Sequence, residues 1–306
     1  MIITRIIGGL GNQMFQYAAG RSLSIRHDVP LKMDLSGFSE SPLRAYCLHC
    51  FKVVEEFASS RECYATGGIP RTFPQAVTSL LRTILFKTGR AIRLPDMSSA
   101  PFPGLFVDKM DGFSPEFRLL PDNVYLQGYW QSEEYFKEIE QTIRSEFEVK
   151  LPPTGKNLEF ADWVKSCQSV SVHVRRGDYV SDPSTRKVHG LCPLEYYQMS
   201  IGELAEELND PQFFVFSDDP GWARDNLRPG YPVHIVDHNS PETPWEDLRL
   251  MSLCHHHIIA NSTLGWWGAW LSRNPDKIVI APDRWFALAG LSVPDLLPKE
   301  WRRRWS

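Results

Sequence analysis

The sequence predicts an α/β protein of two domains with parallel sheets, and three observations lead there. Residues 2–7 read as a buried strand that runs into Gly8-Gly-Leu-Gly11 and then into a helix to about Arg26. Beyond residue 156, apolar stretches near 170–174, 212–216, 232–236, 257–260 and 277–280 alternate with helical ones, the series expected of parallel strands with right-handed crossovers. Between these patterns, Leu151-Pro-Pro-Thr-Gly-Lys156 can continue neither a helix nor a central strand. The boundary falls there, giving domains 1–150 and 151–306, each of ordinary size.

In chain order, the first helix gathers Met14, Phe15, Ala18, Ala19 and Leu23 on one face. A dinucleotide fingerprint G-x-G-x-x-G started at Gly9 meets Met14 at its last position, so a nicotinamide or flavin site is not expected. Gly11 and Asn12 still stand where a βα turn offers donors to a ligand. Residues 31–35 read as a second strand with Asp34 near its end. From 36 to 104 the pattern is weak apart from a helical patch at 76–86, and such irregular insertions often shape a substrate-specific surface. Residues 124–127 form another strand, followed by Gly128-Tyr-Trp-Gln131 and a helix capped by Ser132, with Tyr135, Phe136, Ile139, Ile143 and Phe147 as its apolar stripe. Later helices are signed by Pro193 at a first turn and by Thr243-Pro-Trp-Glu246, a capping box with proline at its first position.

Composition excludes several classes. A charge of −4 and a pI near 6.2 argue against nucleic acid as the main partner. There is no run of 18 apolar residues and no basic region before an apolar stretch, so neither a membrane span nor a signal peptide is expected. Six scattered cysteines suit reduced thiols in a cytoplasmic enzyme. Cys47-Leu-His-Cys50 has no second pair at zinc spacing, and His255-His-His257 enters an apolar strand; both read as structural. Trp301-Arg-Arg-Arg-Trp305 reads as a solvated, frayed end or a contact with an anionic surface, which leaves open a peripheral position at the inner face of the membrane.

Chemistry collects where the strands of the second domain end. Arg175-Arg-Gly-Asp178 follows the first, Ser217-Asp-Asp219 the second, Asp237-His-Asn239 the third and Asn261-Ser-Thr263 the fourth. Open α/β sheets bind ligands at this edge. Arg175 and Arg176 need anions or water, because a buried unpaired guanidinium is prohibitively costly, and their forks match phosphate. Ser262 and Thr263 offer hydroxyls and a helix N-terminus to the same anion. Asp237 suits guanine, which presents two adjacent donors to one carboxylate. No D-x-D triplet occurs, so arginines and backbone dipoles are expected to hold a departing diphosphate in place of a metal ion. Ten Trp and ten Tyr would also serve a non-catalytic carbohydrate-binding protein, but a lectin has no use for a diphosphate pocket.

Four ordered motifs now carry a resemblance. Gly8-Gly-Leu-Gly-Asn-Gln-Met-Phe-Gln-Tyr-Ala18, His173-Val-Arg-Arg-Gly-Asp-Tyr179, Phe216-Ser-Asp-Asp219 and Asn261-Ser-Thr-Leu-Gly-Trp-Trp-Gly-Ala-Trp-Leu271 closely resemble glycosyltransferase family 11, the α-1,2-fucosyltransferases. The one departure is Gly265, where that pattern leads one to expect serine. The resemblance implies a GT-B-type fold, two Rossmann-like domains facing across a cleft, with the donor GDP-fucose in the C-terminal one and the acceptor on the N-terminal side. It implies inverting transfer of L-fucose, without metal or other cofactor, to the 2-hydroxyl of a terminal galactose in an oligosaccharide or glycolipid such as an O-antigen repeat. By motif, Arg175 would grip the diphosphate with Arg176 beside it, and His173 would sit against the nucleotide. Asp237 would read guanine, Ser262 and Thr263 would bind phosphate, and Gly11 and Asn12 would reach the donor from the other domain. Asp178 is the nearest carboxylate for a general base, with Asp182 and Asp34 behind it.

Overall fold

A computed structural model describes residues 1–39, 45–67 and 104–305, so the helical patch expected at 76–86 lies outside the described residues. The chain divides into two compact units, Met1–Glu148 with Ala289–Leu296, and Val149–Leu288 with Leu297–Ser306. The sequence reading assigned all of 151–306 to the second domain. In the structure Ala289–Leu296 groups with the first unit, where Phe113 N donates to the Asp295 carboxylate at 3.1 Å.

The first unit holds strands β1 (Ile2–Arg5), β2 (Leu31–Asp34), β3 (Leu105–Val107) and β4 (Val124–Gln127), and helices α1 (Leu10–His27), α2 (Ser60–Ala65) and α3 (Glu140–Glu146). Its parallel sheet runs β2-β1-β4-β3, with Ile2 opposite both Leu31 and Val124. Helix α1 lies close on this sheet because Gly20 has no side chain; a Cβ there would come within 2.8 Å of Leu31. Two buried glutamines fasten the turn between β1 and α1. Gln13 donates to Gly8 O and Ala45 O, and Gln16 Oε1 accepts from Ile7 N at 2.9 Å.

The helix expected from Ser132 is instead two single 3-10 turns, Glu133–Tyr135 and Lys137–Ile139, followed by α3. Ser132 does accept from Glu134 N, but Phe136 has φ −143° and breaks the run. Packing overrides local preference here. Tyr135 turns edge-on to Trp130 and Phe117, while Phe136 packs against Phe15.

The second unit carries α4 (Gly155–Ser166), β5 (Ser169–Val174), α5 (Gly177–Ser181), α6 (Pro183–His189), α7 (Leu194–Glu207), β6 (Gln212–Ser217), α8 (Pro220–Asn226), β7 (Val233–Val236), α9 (Pro244–Leu253), β8 (His256–Ile258), α10 (Thr263–Leu271), β9 (Val279–Pro282) and β10 (Arg302–Arg304). Its all-parallel order, β10-β9-β8-β5-β6-β7, is the doubly wound arrangement 3-2-1-4-5-6 when the six strands are counted from β5. Every residue of β5 is buried, as a central strand covered on both faces must be. Val172, Val174, Tyr196, Ile201, Phe213, Val215 and Ile258 form the core on one of those faces.

Three local expectations change in this unit. Pro244 opens α9 as foreseen, yet Thr243 makes no side-chain cap and its hydroxyl donates to Ser240 O instead. The three consecutive histidines are packed: Nδ1 of His255 and of His257 meet Ser169 and Ser171 at 3.0 and 2.8 Å. The C-terminal arginines are not frayed. They form β10 beside β9, where Arg302 pairs with Glu203 and Glu207 and Arg304 pairs with Glu203. Among the described residues no helix is long and apolar enough to cross a membrane.

Candidate active site at the carboxyl edge of the second sheet

Strand register builds the site. Val174 at the end of β5 lies opposite Ser217 at the end of β6, so the next residues, Arg175 and Asp218, leave the sheet side by side. Arg175 Nη1 reaches Asp218 Oδ2 at 2.8 Å and Nη2 reaches Asp178 Oδ1 at 2.5 Å, so two carboxylates fix the guanidinium. Arg176 N donates to Asp218 Oδ1 at 2.7 Å, its Nε to Asp219 Oδ2 at 3.1 Å, and its plane lies 4.0 Å over Trp222. Gly177 is required by this crowding, since a Cβ would stand 2.5 Å from Asp218 Oδ2. Sequence reading placed both arginines, Asp218 and Asp219 at this edge without pairing them, and Trp222 was not among its candidates. The signal available was the Asp pair ending the neighbouring strand.

His173, the last inward residue before these arginines, is buried, and Nδ1 has no partner. Burial first, and the Arg175 charge second, push its pKa down to about 3, so the ring is neutral throughout the working range. An orphaned acceptor is cheaper than an orphaned N–H, so we assign the proton to Nε2. Gly265, in the first turn of α10, lies against this ring; a Cβ would be 2.7 Å from Nδ1. Gly265→Ser is expected to displace the imidazole and lower kcat/KM by about tenfold or more, in line with the sensitivity of catalysis to small misplacements. Unchanged steady-state kinetics would show that the ring yields freely.

Ser262 and Thr263 begin α10 as predicted, beside the end of β8. Neither their half-buried side chains nor an acidic residue caps this first turn, leaving its N–H groups to an anion. Because β5 and β8 are neighbours where the strand order reverses, the arginine loop and this helix end flank the switch point. Asp237 follows β7 and is half-exposed, but it pairs with Arg224 of α8 at 2.5 Å. A base read by Asp237 must share it with that guanidinium.

The three candidate bases are all engaged. Asp178 holds Arg175. Asp182 caps α6 through Ser184 N and both neighbouring hydroxyls, and these hydrogen bonds, that of Thr185 foremost, hold its pKa low. Asp34 accepts from Ser36 and, at 2.6 Å, from the Tyr125 hydroxyl. Gly11 and Asn12 belong to the first unit, in the opening turn of α1; Gly11 is buried, and Asn12 Oδ1 accepts from Gln131 Nε2 at 3.0 Å. No group of three His, Cys, Asp or Glu suited to a metal ion occurs among the described residues.

With this geometry in view, comparison with known proteins identifies the class. Arabidopsis thaliana FUT1, solved in complex with GDP, matches 97% of this chain and 74% of its own at 12% identity, with a TM-score of 0.50. That match shows the fold, an α/β architecture of the GT-B type. An α-1,2-colitosyltransferase of Escherichia coli is 34% identical across 99% of this chain and 98% of its own. The O-antigen biosynthesis glycosyltransferase WbnK, also from Escherichia coli, is 32% identical across 92% of this chain and 93% of its own. Residues 108–303 match the model described as glycosyl transferase family 11, and the chain belongs to that family.

Proposed function

We propose that this chain is an inverting, metal-independent α-1,2-glycosyltransferase that moves L-fucose from GDP-fucose to the 2-hydroxyl of a terminal galactose. The observation that carries the reading is the pinned pair Arg175 and Arg176 beside the open first turn of α10. Fixed donors of this kind stabilise a departing diphosphate without reorganising during the reaction. Each charge-assisted contact contributes roughly 1.5–3 kcal/mol. His173 adds a neutral Nε2–H donor, and Asp237 accepts from the guanine edge. When the diphosphate draws Arg175 toward itself, Asp178 is the carboxylate released to take the acceptor's proton. Asn12 and Gly11 are assigned to the donor from the first unit, and the acceptor to that unit as well.

A second donor has specific support, since a relative matched over nearly the whole chain is an α-1,2-colitosyltransferase. The WbnK name supports an O-antigen acceptor, and six cysteines outside any disulfide support a cytoplasmic site of action. The test is a panel of GDP-fucose, GDP-colitose and GDP-mannose with galactose-terminated acceptors, followed by linkage analysis and repeated in EDTA. Fucosyl transfer to the 2-hydroxyl at an EDTA-independent rate is expected. Preferential colitosyl transfer would select the second donor, and a metal requirement would remove the arginine argument.

A further inference from the structure

The first unit has a further constellation of its own beside Asn12. Strands β1 and β4 are neighbours in the middle of its sheet, so the loops leaving their carboxyl ends lie side by side. Gln131 stands in the second of these loops. Its Nε2 is committed to Asn12 Oδ1, while its Oε1 is buried and lacks a partner among the described residues. A buried carbonyl left in this state is costly, and most such groups in folded proteins have a partner.

The surroundings hold that atom in place. The buried Asp108 carboxylate, which follows β3, accepts from Met110 N at 3.0 Å, Tyr129 N at 3.1 Å and Trp130 N at 2.9 Å. Gly128 backs directly onto it, where a Cβ would meet Asp108 Cβ at 2.1 Å. Met110 and Trp130 both occupy the left-handed region, with φ 57° and 55°. Backbone strain of this kind persists only where the surroundings over-determine it, and it clusters at binding sites. Trp130 is locked by stacking on Phe106 and by tilted contact with Phe117. The result is a narrow recess of about 10 Å³, room for one water-sized group, lined by Asp108, Gln131, Tyr135 and Val293 among others.

We propose that this recess is a sugar-hydroxyl subsite for the acceptor, with Gln131 Oε1 accepting from one acceptor hydroxyl. The inference rests on the transferase reading above. Among the described residues no cation lines the recess and one carboxylate does, so an anion is disfavoured, whereas a neutral polyol supplies the missing O–H donor.

The test pairs Gln131→Met, which keeps the side chain's length and removes its polar atoms, with a series of monodeoxygalactoside acceptors. Wild type should show KM raised about tenfold for one deoxy acceptor, since a site built around a hydroxyl rejects its absence. Q131M should raise KM for the parent acceptor similarly and show no further loss with that deoxy analogue. Gln131→Glu, which retains an accepting oxygen, should recover most of the parent affinity and serves as the probe if Q131M fails to fold. A wild type indifferent to every deoxy position, or a Q131M that still discriminates against that deoxy analogue as wild type does, overturns the subsite and leaves the transferase reading intact. A wild type that transfers no sugar from any GDP donor overturns both.

Discussion

Arg175→Ala is expected to lower transfer by about 100- to 1,000-fold, the loss seen when a preorganised donor to developing charge is removed. The effect should exceed a simple lost contact. In the native protein Arg175 pairs with both Asp178 and Asp218 and offsets part of their charge. Without it, those two carboxylates face the incoming diphosphate with Arg176 as the nearest cation, itself shared with Asp219. Donor affinity should therefore fall along with turnover, and Arg175→Lys should recover little, because a point charge cannot bridge both carboxylates and a phosphate. Single-turnover kinetics and GDP titration on the purified variant, with circular dichroism to verify folding, separate these effects. Transfer within about tenfold of wild type would show that the diphosphate is stabilised elsewhere.

Trp266→Ala is expected to cost about 3–5 kcal/mol of stability, the range for truncating a large aromatic in a core. Trp266 is fully buried in α10, stacked on Trp270 and in contact with Trp267 and Trp301. Few side chains nearby can close the space it would leave, because Gly268 already brings α10 tightly onto Met251 of α9. Activity should fall too, since the same helix carries Ser262, Thr263 and Gly265 at its start. Trp305, two-thirds exposed, is the matched control and should lose little. Chemical denaturation reads both variants, and a loss below about 1 kcal/mol at Trp266 would contradict the packing described.

Much of the second unit could be read in advance because buried parallel strands are short, apolar and bounded by turns. The polar residues ending β5, β6, β7 and β8 stood out against that background. What escaped depended on partners distant in sequence. Arg175 meets Asp218 only through the register of two strands, and Arg176 finds Trp222 only once α8 has folded back. Asp34 and Asp182 looked available as bases until their hydroxyl and backbone donors were in place. Strand β3 has only three residues, too few for alternation to register. Gly265 looked like a weakened family position because the His173 ring packed against it is 92 positions away in the chain.

Strand β10 also guards the sheet it completes. An open margin of unpaired backbone groups invites other chains to add strands, and cationic side chains discourage this. Arg302 and Arg303 supply such a fringe, with Arg302 tethered to acids on α7 so that it stays where it is needed. Deleting residues from Trp301 onward would bare β9, whose four residues Val279–Pro282 are all buried. The truncated protein would then be prone to self-association through that apolar margin, even with its catalytic groups in place.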